Sequence, residues 1–468
     1  MKITQNGTET LDDYYVRKPD PVPPCLVSDK TKCCSLGPYG AREFFNYILK
    51  MLVLPGVIAA AIIFLALFAL YDNLVTQTIS FVLTYIATIL TFIYNRERIM
   101  GGIHHITIGA ELAEGTFTLN KTKDPTLKIG FVGDIMMMGD FKLTFDTSIK
   151  TFFDGVHFIV GNLEGIIADQ ETSGAEQVHP EEILNQLYPL LSNNAKWLLC
   201  VSNNHSIDFG NNKLIKSIKT IQKHSEDQNR KKFNAIGRND VPRAFLDDDF
   251  CLSTATNWSN QKAWECTSRF KDSELDCYHC YGRFNILYPH WGYENEPYVR
   301  KRIQKNAKEL LTRSLEQNSE TRMKKWDLIF GHHPHVRQPV VVVKGEQLKM
   351  PDGSSVRDPQ NNNNFVFLKK LVAFSGGNFT SGAIIARRKK HIHGIIMKCE
   401  IGPLDNDPDH FAVGKGEWRK TVNEEDPGSR EPTKIVRIGE GETEIARIYL
   451  IIIAVAVIVV TILLTIFG

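Results

Sequence analysis

The chain contains 468 residues, which is too many for one ordinary domain at about 150 residues per domain. It has 55 lysines and arginines against 53 aspartates and glutamates. The resulting net charge of +2 excludes the strongly basic balance typical of nucleic-acid-binding proteins, so we expect no nucleic-acid partner. The apolar residues are unevenly spread and divide the chain into segments of different character.

Three uncharged apolar runs are long enough to cross a membrane. They cover residues 51–70, 74–94 and 448–467. A membrane-spanning helix needs about 20 apolar residues, and a short polar link joins the first two runs. The pattern predicts a transmembrane hairpin over residues 51–94, a C-terminal transmembrane helix over residues 448–467, and the lipid bilayer as a partner.

The other segments follow from these boundaries. Residues 1–50 are polar without an apolar period, which predicts a flexible tail. Residues 95–126 and 403–447 are predicted linkers on either side of a central domain over residues 127–402. Lysines and arginines flank both outer ends of the hairpin and are missing from its internal link, so the charge pattern favours a cytoplasmic central domain in a multi-pass membrane protein.

The central domain alternates short apolar runs with helix-like patterns. The apolar runs, which predict strands, are residues 127–132, 157–160, 197–201, 284–288, 326–330 and 371–374. The helical patterns cover residues 181–191, 212–223 and 299–315. Strands alternating with amphipathic helices indicate an α/β fold with helices on the faces of a sheet.

Possible metal ligands follow these predicted strands where each strand ends. They are Asp134, Asn162, Glu164, Asn203, Asn204, His205, Asp208, His290, Glu294, His332, His333, His335 and Asn378. In open α/β sheets, ligands bind beyond the carboxyl ends of the strands. A two-metal site needs carboxylate, amide and imidazole groups that converge, so the sequence predicts a site for two divalent ions. Manganese, zinc and iron all suit this set of ligands.

The segment Gly331-His332-His333-Pro334-His335 is the densest part of this pattern. The proline fixes its own φ and stiffens the loop. If the loop is extended, residues two apart lie on one side of the chain, so His333 and His335 are expected to face one cavity.

The order Gly-Asp, Asn-x-Glu, Asn-Asn-His, His-Trp-Gly-x-Glu, Gly-His-His-Pro-His and Gly-Asn-Phe, over residues 127–398, resembles the CapA family of poly-γ-glutamate capsule biosynthesis proteins. That family lies in the calcineurin-like metallophosphoesterase superfamily. The resemblance implies a four-layered α/β/β/α sandwich with a dinuclear metal centre. It also implies an extracytoplasmic domain, opposite to the side that the charge pattern favours.

The resemblance assigns roles to individual residues by motif. Its metal ligands are Asp134, Glu164, Asn204, His290, His333 and His335. Asp134 would bind the first ion, Asn204 would bind the second, and Glu164 is the candidate bridge. His205 would lie near the scissile group, with Asp208 orienting it. His332 is a further candidate because three histidines compete for two roles.

Two departures from the superfamily pattern leave the function open. Met136 stands where the usual first motif, Asp-x-His, has histidine, and Glu164 stands where an aspartate is usual. Both changes are typical of the CapA branch. The first hypothesis is a membrane-anchored phosphoesterase acting on a phosphoester. The second is a non-catalytic subunit of a polymer synthesis and export complex, whose metal site binds an anionic polymer. The third is a scaffold without metal.

The cysteines and sequons are less informative. The nine cysteines are an odd number, and their spacing does not indicate a disulfide framework. Cys277-x-x-Cys280, with Cys266 nearby in a polar insertion over residues 255–283, is compatible with a zinc site or with unmodified thiols. Glycosylation sequons begin at Asn6, Asn120, Asn204, Asn257 and Asn378, and they matter only if the domain is extracytoplasmic.

Overall fold

The computed structural model describes residues 106–439, with gaps at 170–175, 193, 228–231, 261–265, 272–274, 276, 281, 313–325, 349–353, 359–360, 383–391 and 427. The predicted tail and membrane spans, residues 1–50, 51–94 and 448–467, lie outside the described residues. Within the described part of the chain, every helix falls short of the length and apolar character that a membrane crossing requires.

The described residues contain twenty-one strands. The first ten are β1 (Ala110–Glu111), β2 (Gly115–Thr118), β3 (Leu127–Ile135), β4 (Lys142–Phe145), β5 (Phe158–Leu163), β6 (Ile166–Ile167), β7 (Val178–His179), β8 (Lys196–Cys200), β9 (Phe233–Ile236) and β10 (Arg243–Phe245). The others are β11 (Phe250–Thr256), β12 (Phe284–His290), β13 (Leu328–Phe330), β14 (Val340–Gln347), β15 (Arg357–Asp358), β16 (Asn361–Phe365), β17 (Phe367–Ala373), β18 (Asn378–Thr380), β19 (His393–Pro403), β20 (Phe411–Glu425) and β21 (Thr433–Ile438).

Among the described residues, four α-helices with complete bounds accompany the strands. They are α1 (Thr147–Phe152), α2 (Glu182–Leu187), α3 (Asn211–Asp227) and α4 (Lys301–Thr312), and a 3-10 turn at Tyr188–Leu190 extends α2. Asp146 is the N-cap of α1: its side chain accepts the Ser148 backbone N–H at 2.8 Å and so satisfies one of the unpaired donors of the first turn. The mixture of strands and helices confirms the predicted α/β class.

The strands form two large sheets. One has the order β1-β14-β17-β13-β12-β11-β10, and its strands β11, β12, β13 and β17 are parallel neighbours. The other has the order β4-β21-β20-β19-β3-β5-β8-β9, with β18 paired to β3 and β2 paired to β20. Its strands β3, β5, β8 and β9 are also parallel. Each sheet therefore gathers the carboxyl ends of several strands at one edge.

Three large apolar cores among the described residues hold these layers together. The central core joins the two sheets, and in it Phe131 on β3 stacks on Phe330 on β13 with ring centroids 5.2 Å apart. A second core packs the ten-stranded sheet against α1, α2 and α3. A third packs the seven-stranded sheet against α4, whose Ile303, Ala307 and Leu311 are buried. Burial of apolar area in these cores is the main force that fixes the layers.

The predicted linkers are wrong where the structure has strands. The segment 403–447 contains β20 and β21, and β20 pairs with β19 along most of its length. The segment 95–126 contains β1 and β2, which pair with β14 and β20. These segments are polar because their strands lie towards the margins of the sheets. There, one face of the sheet packs against the protein and the other meets water.

Most of the predicted sequons are unsuited to glycosylation in the folded domain. Asn120, Asn204, Asn257 and Asn378 are all buried. The Asn120 side chain, for example, donates to the carbonyl oxygens of Lys369 and Val413 at 2.9 Å each. A glycan needs an exposed asparagine, so these four sites carry no information about the side of the membrane.

Candidate metal centre

The predicted site residues meet where the carboxyl ends of the two sets of parallel strands face each other. Asp134, Glu164 and Asn204 lie at or just after the ends of β3, β5 and β8 in one sheet. His290 ends β12 in the other sheet, and His332, His333 and His335 follow β13. All seven side chains are buried. The two sheets thus contribute opposite halves of one cluster.

Asp134 lies at the centre of this cluster. Its Oδ1 accepts the Asn162 side-chain amide at 2.8 Å and lies 3.2 Å from His332 Nδ1. Its Oδ2 accepts the His333 backbone N–H at 3.1 Å and lies 3.2 Å from His335 Nδ1. One carboxylate therefore contacts all three histidines of the loop that follows β13.

The carboxylate is brought to this position by glycines. A β-carbon at Gly133 would collide with the carbonyl group of Gly377 and the backbone of Gly376. This close approach lets the Asp134 backbone N–H donate to Gly377 O at 2.8 Å. It also brings Asn378 to the site, where its Oδ1 lies 3.0 Å from His335 Nδ1.

Glu164 is held beside Asp134 by a shared amide. The Asn162 side chain donates to one oxygen of Glu164 as well as to Asp134. Asn203 in turn donates to Asn162 Oδ1 at 3.0 Å. The other Glu164 oxygen, Oε1, is buried without a hydrogen-bond partner among the described residues. A buried carboxylate oxygen without a donor is the behaviour expected of a ligand atom awaiting a cation.

The side chains of Asn204 and His205, although adjacent in sequence, contact different residues. Asn204 Oδ1 lies 2.9 Å from His290 Nε2, which joins the two sheets across the site. His205 Nδ1 lies 2.6 Å from Asp208 Oδ2, so the predicted catalytic pair is in contact. His205 is 8% exposed, against 0% for His290. The pair therefore lies at the rim of the cluster rather than at its centre.

The loop after β13 differs from the extended geometry that the sequence predicts. His333 has φ of 94° and His335 has φ of 57°, both in the left-handed region that non-glycine residues rarely adopt. The two imidazoles nevertheless share the cavity, with ring centroids 5.8 Å apart. Strained backbone of this kind clusters at functional sites, where the surrounding contacts hold it in place.

The side chains form two groups in which the possible ligand atoms lie within 4.8 Å of one another. The first group is Asp134, His290 and His332, and the second is Glu294, His333 and His335. His332 Nε2 and His333 Nδ1 are buried without a hydrogen-bond partner among the described residues. Mixed carboxylate and imidazole donors with unpaired buried atoms fit a divalent transition metal in each group.

The protonation of the imidazoles suits this role. Burial, together with the nearby histidines, holds the pKa of His290 and of His333 well below the usual range. Burial also lowers the pKa of His332, although Asp134 opposes the change. A neutral imidazole is the form that binds a metal, so these three side chains are ready to act as ligands near neutral pH.

The pKa values of the two central carboxylates, Glu164 and Asp134, shift in opposite directions. Burial raises the pKa of Glu164 to about 8, and the charge of Asp134 adds to this rise. Burial would also raise the pKa of Asp134, but hydrogen bonds from His332 and His335 outweigh it and hold this pKa well below its usual range. Burial would lower the pKa of His335, yet the bond to Asp134 outweighs it and raises the pKa to about 10. Two carboxylates this close need extra positive charge if both are to ionise.

Some site residues were not identified from the sequence. Trp258 packs its ring 5.4 Å from the His333 ring and 5.5 Å from the Tyr293 ring. The exposed Asn260 contacts the Asn204 and His205 side chains at 3.3 and 3.4 Å. Both follow β11, and the polar residues after this strand were a signal of the same kind as those after β3 and β5.

The fold and the cluster together define an α/β protein with a candidate metal centre at its strand ends. Residues 274–383 match the family model described as bacterial capsule synthesis protein PGA_cap, which confirms the resemblance to the CapA family. The matched segment carries His290, Glu294 and the three histidines after β13, whereas Asp134, Glu164, Asn204 and His205 lie before it. Comparison with curated proteins and with solved structures found no match.

Proposed function

We propose that the domain is a metal-dependent phosphoesterase. The observation that carries this proposal is the convergence of buried ligands from both sheets on two groups that Asp134 connects. The three apolar cores, in the order helices, sheet, sheet, helix, support the four-layered metallophosphoesterase-like architecture that the resemblance implies.

The ligands would divide between two divalent ions of manganese, zinc or iron. Asp134, His290 and His332 would hold one ion, with Asn204 and Glu164 beside them. His333 and His335 would hold the other, with Glu294. When bound, such ions neutralise charge on a phosphoryl group and activate water. Asp134 has one oxygen towards each group, so it competes with Glu164 for the bridging role.

His205 is the proposed proton donor. Asp208 accepts from Nδ1, which fixes the orientation of the ring and leaves Nε2 as the atom that can exchange a proton with a bound ligand. Burial lowers the pKa of His205, but the hydrogen bond to Asp208 and the charge of Glu164 outweigh burial and raise it. A raised pKa favours the protonated ring, which is the form that can donate to the leaving oxygen of a phosphoester.

A second candidate is a non-catalytic subunit that binds an anionic polymer in a membrane complex for capsule or poly-γ-glutamate type synthesis and export. Met136 favours it, because a thioether replaces the histidine of the superfamily's Asp-x-His motif and is a poorer ligand than imidazole for ions such as manganese, which weakens one metal site. In this alternative the ions and His335 would hold carboxylates of the polymer, and His205 would add a positive charge at the rim.

We also propose that the predicted spans at residues 51–94 and 448–467 anchor the domain to a membrane. The charge pattern favours the cytoplasmic side and the family resemblance favours the extracytoplasmic side. Protease added to intact cells separates the two: an extracytoplasmic domain is cleaved, whereas a cytoplasmic domain is cleaved only after the membrane is opened.

Turnover of simple phosphoesters tests the catalytic proposal. The full chain, purified in detergent, is assayed on aryl phosphate monoesters and diesters before and after treatment with a chelator, and again after manganese, zinc or iron is added back. Hydrolysis that is lost with chelator and restored by one metal supports the phosphoesterase. Metal binding without turnover of any ester favours the polymer-binding subunit.

A further inference from the structure

Two buried cysteines lie side by side where the insertion between β11 and β12 returns to the sheet. Cys251 is on β11 and is fully buried, and Cys280 lies shortly before β12 and is 7% exposed. Their sulfur atoms are 2.8 Å apart. A disulfide bond has a length of about 2.05 Å, so less than one ångström of movement separates the two thiols from a covalent bond.

The backbone on both sides of this pair is held firmly. The Cys280 N–H donates to Asn285 Oδ1 at 2.8 Å, and Asn285 Nδ2 donates back to Cys280 O at 2.8 Å. Two further bonds tie the insertion to the sheet, from Arg243 Nη1 to Cys277 O at 3.0 Å and from Ser253 Oγ to Tyr278 O at 3.1 Å. These bonds hold the backbone of Cys280 beside β11, so the two cysteines stay next to each other in the folded chain.

The alternative that these cysteines bind zinc receives no support from the described residues. A structural zinc site needs four ligands, usually cysteine and histidine. Among the described residues, the groups of three or more metal-type ligands are the two at the candidate metal centre, and neither contains a cysteine. The direct contact between the two sulfurs is the arrangement that suits a disulfide.

We propose that Cys251 and Cys280 form a disulfide bond. The two thiols lose two protons and two electrons as the S–S bond forms. A disulfide of a small thiol, such as oxidised glutathione, takes up the electrons and leaves as two thiols. The reaction proceeds through a mixed disulfide on one cysteine, which the other then attacks. The bond persists where the domain meets an oxidising compartment.

The bond closes a loop that includes part of the rim of the metal centre. Trp258 and Asn260, which contact His333 and His205, lie between the two cysteines. A cross-link limits the freedom of the unfolded chain and holds both ends of this loop on the sheet. The proposal is independent of phosphoesterase activity, because it concerns only the covalent state of the insertion.

The test is a thiol map of the full chain in defined redox buffers. The purified protein is equilibrated in reduced and in oxidised glutathione, starting from both reduced and oxidised samples, until the result no longer changes. It is then quenched with acid, unfolded, alkylated and digested. We expect one peptide pair linked through Cys251 and Cys280 in the oxidised buffer, and Cys200 and Cys399 alkylated in both buffers. Alkylation of Cys251 and Cys280 in the oxidised buffer, or linkage of Cys280 to Cys266 or Cys277, overturns the proposal.

Melting temperature provides a second readout with matched variants. The oxidised wild type should melt about 5 °C above the reduced protein, since the cross-link constrains the unfolded chain. The double variant C251A/C280A should melt at one temperature in both buffers. Cys399→Ala removes another buried thiol, on β19 in the other sheet, and should keep the full difference. A redox-dependent shift that survives in C251A/C280A contradicts the assignment.

Discussion

His205 and Asp208 lie at the rim of the cluster and contact each other without belonging to either group of ligands. We predict that His205→Ala lowers turnover of a phosphoester about 10²- to 10⁴-fold while bound metal stays unchanged. Asp208→Asn should act in the same direction but more weakly, because it only orients the ring. Steady-state kinetics and elemental analysis of the same samples measure both effects.

The chain supplies a matched control for this pair. His410 and Asp407 are also three residues apart, and His410 Nδ1 lies 2.6 Å from Asp407 Oδ2, but His410 is on the surface. His410→Ala should leave turnover, metal content and melting temperature unchanged. A His205→Ala protein with full turnover removes this histidine from the mechanism, and one that loses its metal makes it a ligand instead.

Gly133 allows the backbone of β3 to approach the turn at Gly376 and Gly377. We predict that Gly133→Ala pushes these segments apart, displaces Asp134 and reduces both bound metal and thermal stability. Gly428→Ala is the control, since its new β-carbon meets only Asp426 Oδ1 at an ordinary 3.4 Å. Metal content and melting temperature of both variants check the prediction, and a Gly133→Ala protein with wild-type values for both would contradict it.

The residue types at the site could be predicted from the sequence, but their individual positions could not. The polar residues found where predicted strands end were enough to identify Asp134, Glu164 and His290 as candidates. The left-handed backbone at His333 and His335 was not predictable, because it depends on contacts with Asp134 from another strand. The amide of Asn162, which joins two carboxylates, also becomes visible only when β3 and β5 are paired.

Lys370 on β17 is a buried cation with two acidic partners. Its Nζ lies 3.0 Å from Asp327 Oδ1 and 3.3 Å from Glu346 Oε1, and its side chain is 1% exposed. Burial lowers the pKa of the ammonium, but the two carboxylates outweigh burial and raise it. We predict that Lys370→Met lowers the free energy of unfolding by roughly 1–3 kcal/mol, less than for a fully buried pair because both carboxylates reach solvent.

Lys369, its exposed neighbour on the same strand, is the control for this change. Lys369→Met should alter the unfolding free energy by less than about 0.5 kcal/mol, as is usual for exposed positions. Urea unfolding of the two variants measures the difference. Equal losses at both positions would mean that the ion pairs at Lys370 contribute nothing.

The elements near the site were predicted well, and those at its margins were not. The apolar runs that form β3, β5, β8 and β12 are buried on both faces. Their apolar composition alone is therefore enough to predict them as strands. Strand β20 mixes short runs of buried positions with partly exposed ones over a segment rich in charged residues. Its pairing with β19 stabilises it through backbone hydrogen bonds that the side chains do not reveal.

The meeting of the two sheets decides which strand ends face each other, and no local pattern specifies it. Tyr288 on β12 donates its hydroxyl to Val132 O on β3 at 2.7 Å, which fixes the sheets just below the site. The sequence indicated that strands would gather ligands at a sheet edge. It could not indicate that two such edges oppose each other, because this depends on the packing of the whole central core.

Acid should destabilise the domain through His179, which is fully buried beside β6. Its Nε2–H donates to Glu164 O at 2.8 Å, and burial lowers its pKa from 6.5 to about 4. Because the folded pKa lies below the unfolded one, the stabilisation is present above pH 6.5 and is lost as pH falls towards 4. The full effect corresponds to roughly 3 kcal/mol.

The comparison with His179→Gln isolates this histidine from other acid-sensitive groups, since glutamine keeps an N–H donor but does not titrate. We expect the unfolding free energy of the metal-free variant to fall less steeply with acid than that of the metal-free wild type. Urea titrations at a series of pH values measure both slopes, and parallel slopes would show that His179 does not carry the effect.

The metal content of the purified chain tests the central claim most directly. The full chain is purified without chelator, analysed for divalent metals, and analysed again after manganese or zinc is added and the excess removed. We predict about two ions per chain for the wild type, and a clear loss for His333→Ala, which removes an imidazole from one group. Less than about half an ion per chain, with no gain when manganese or zinc is added, would contradict the account of this site as a metal centre.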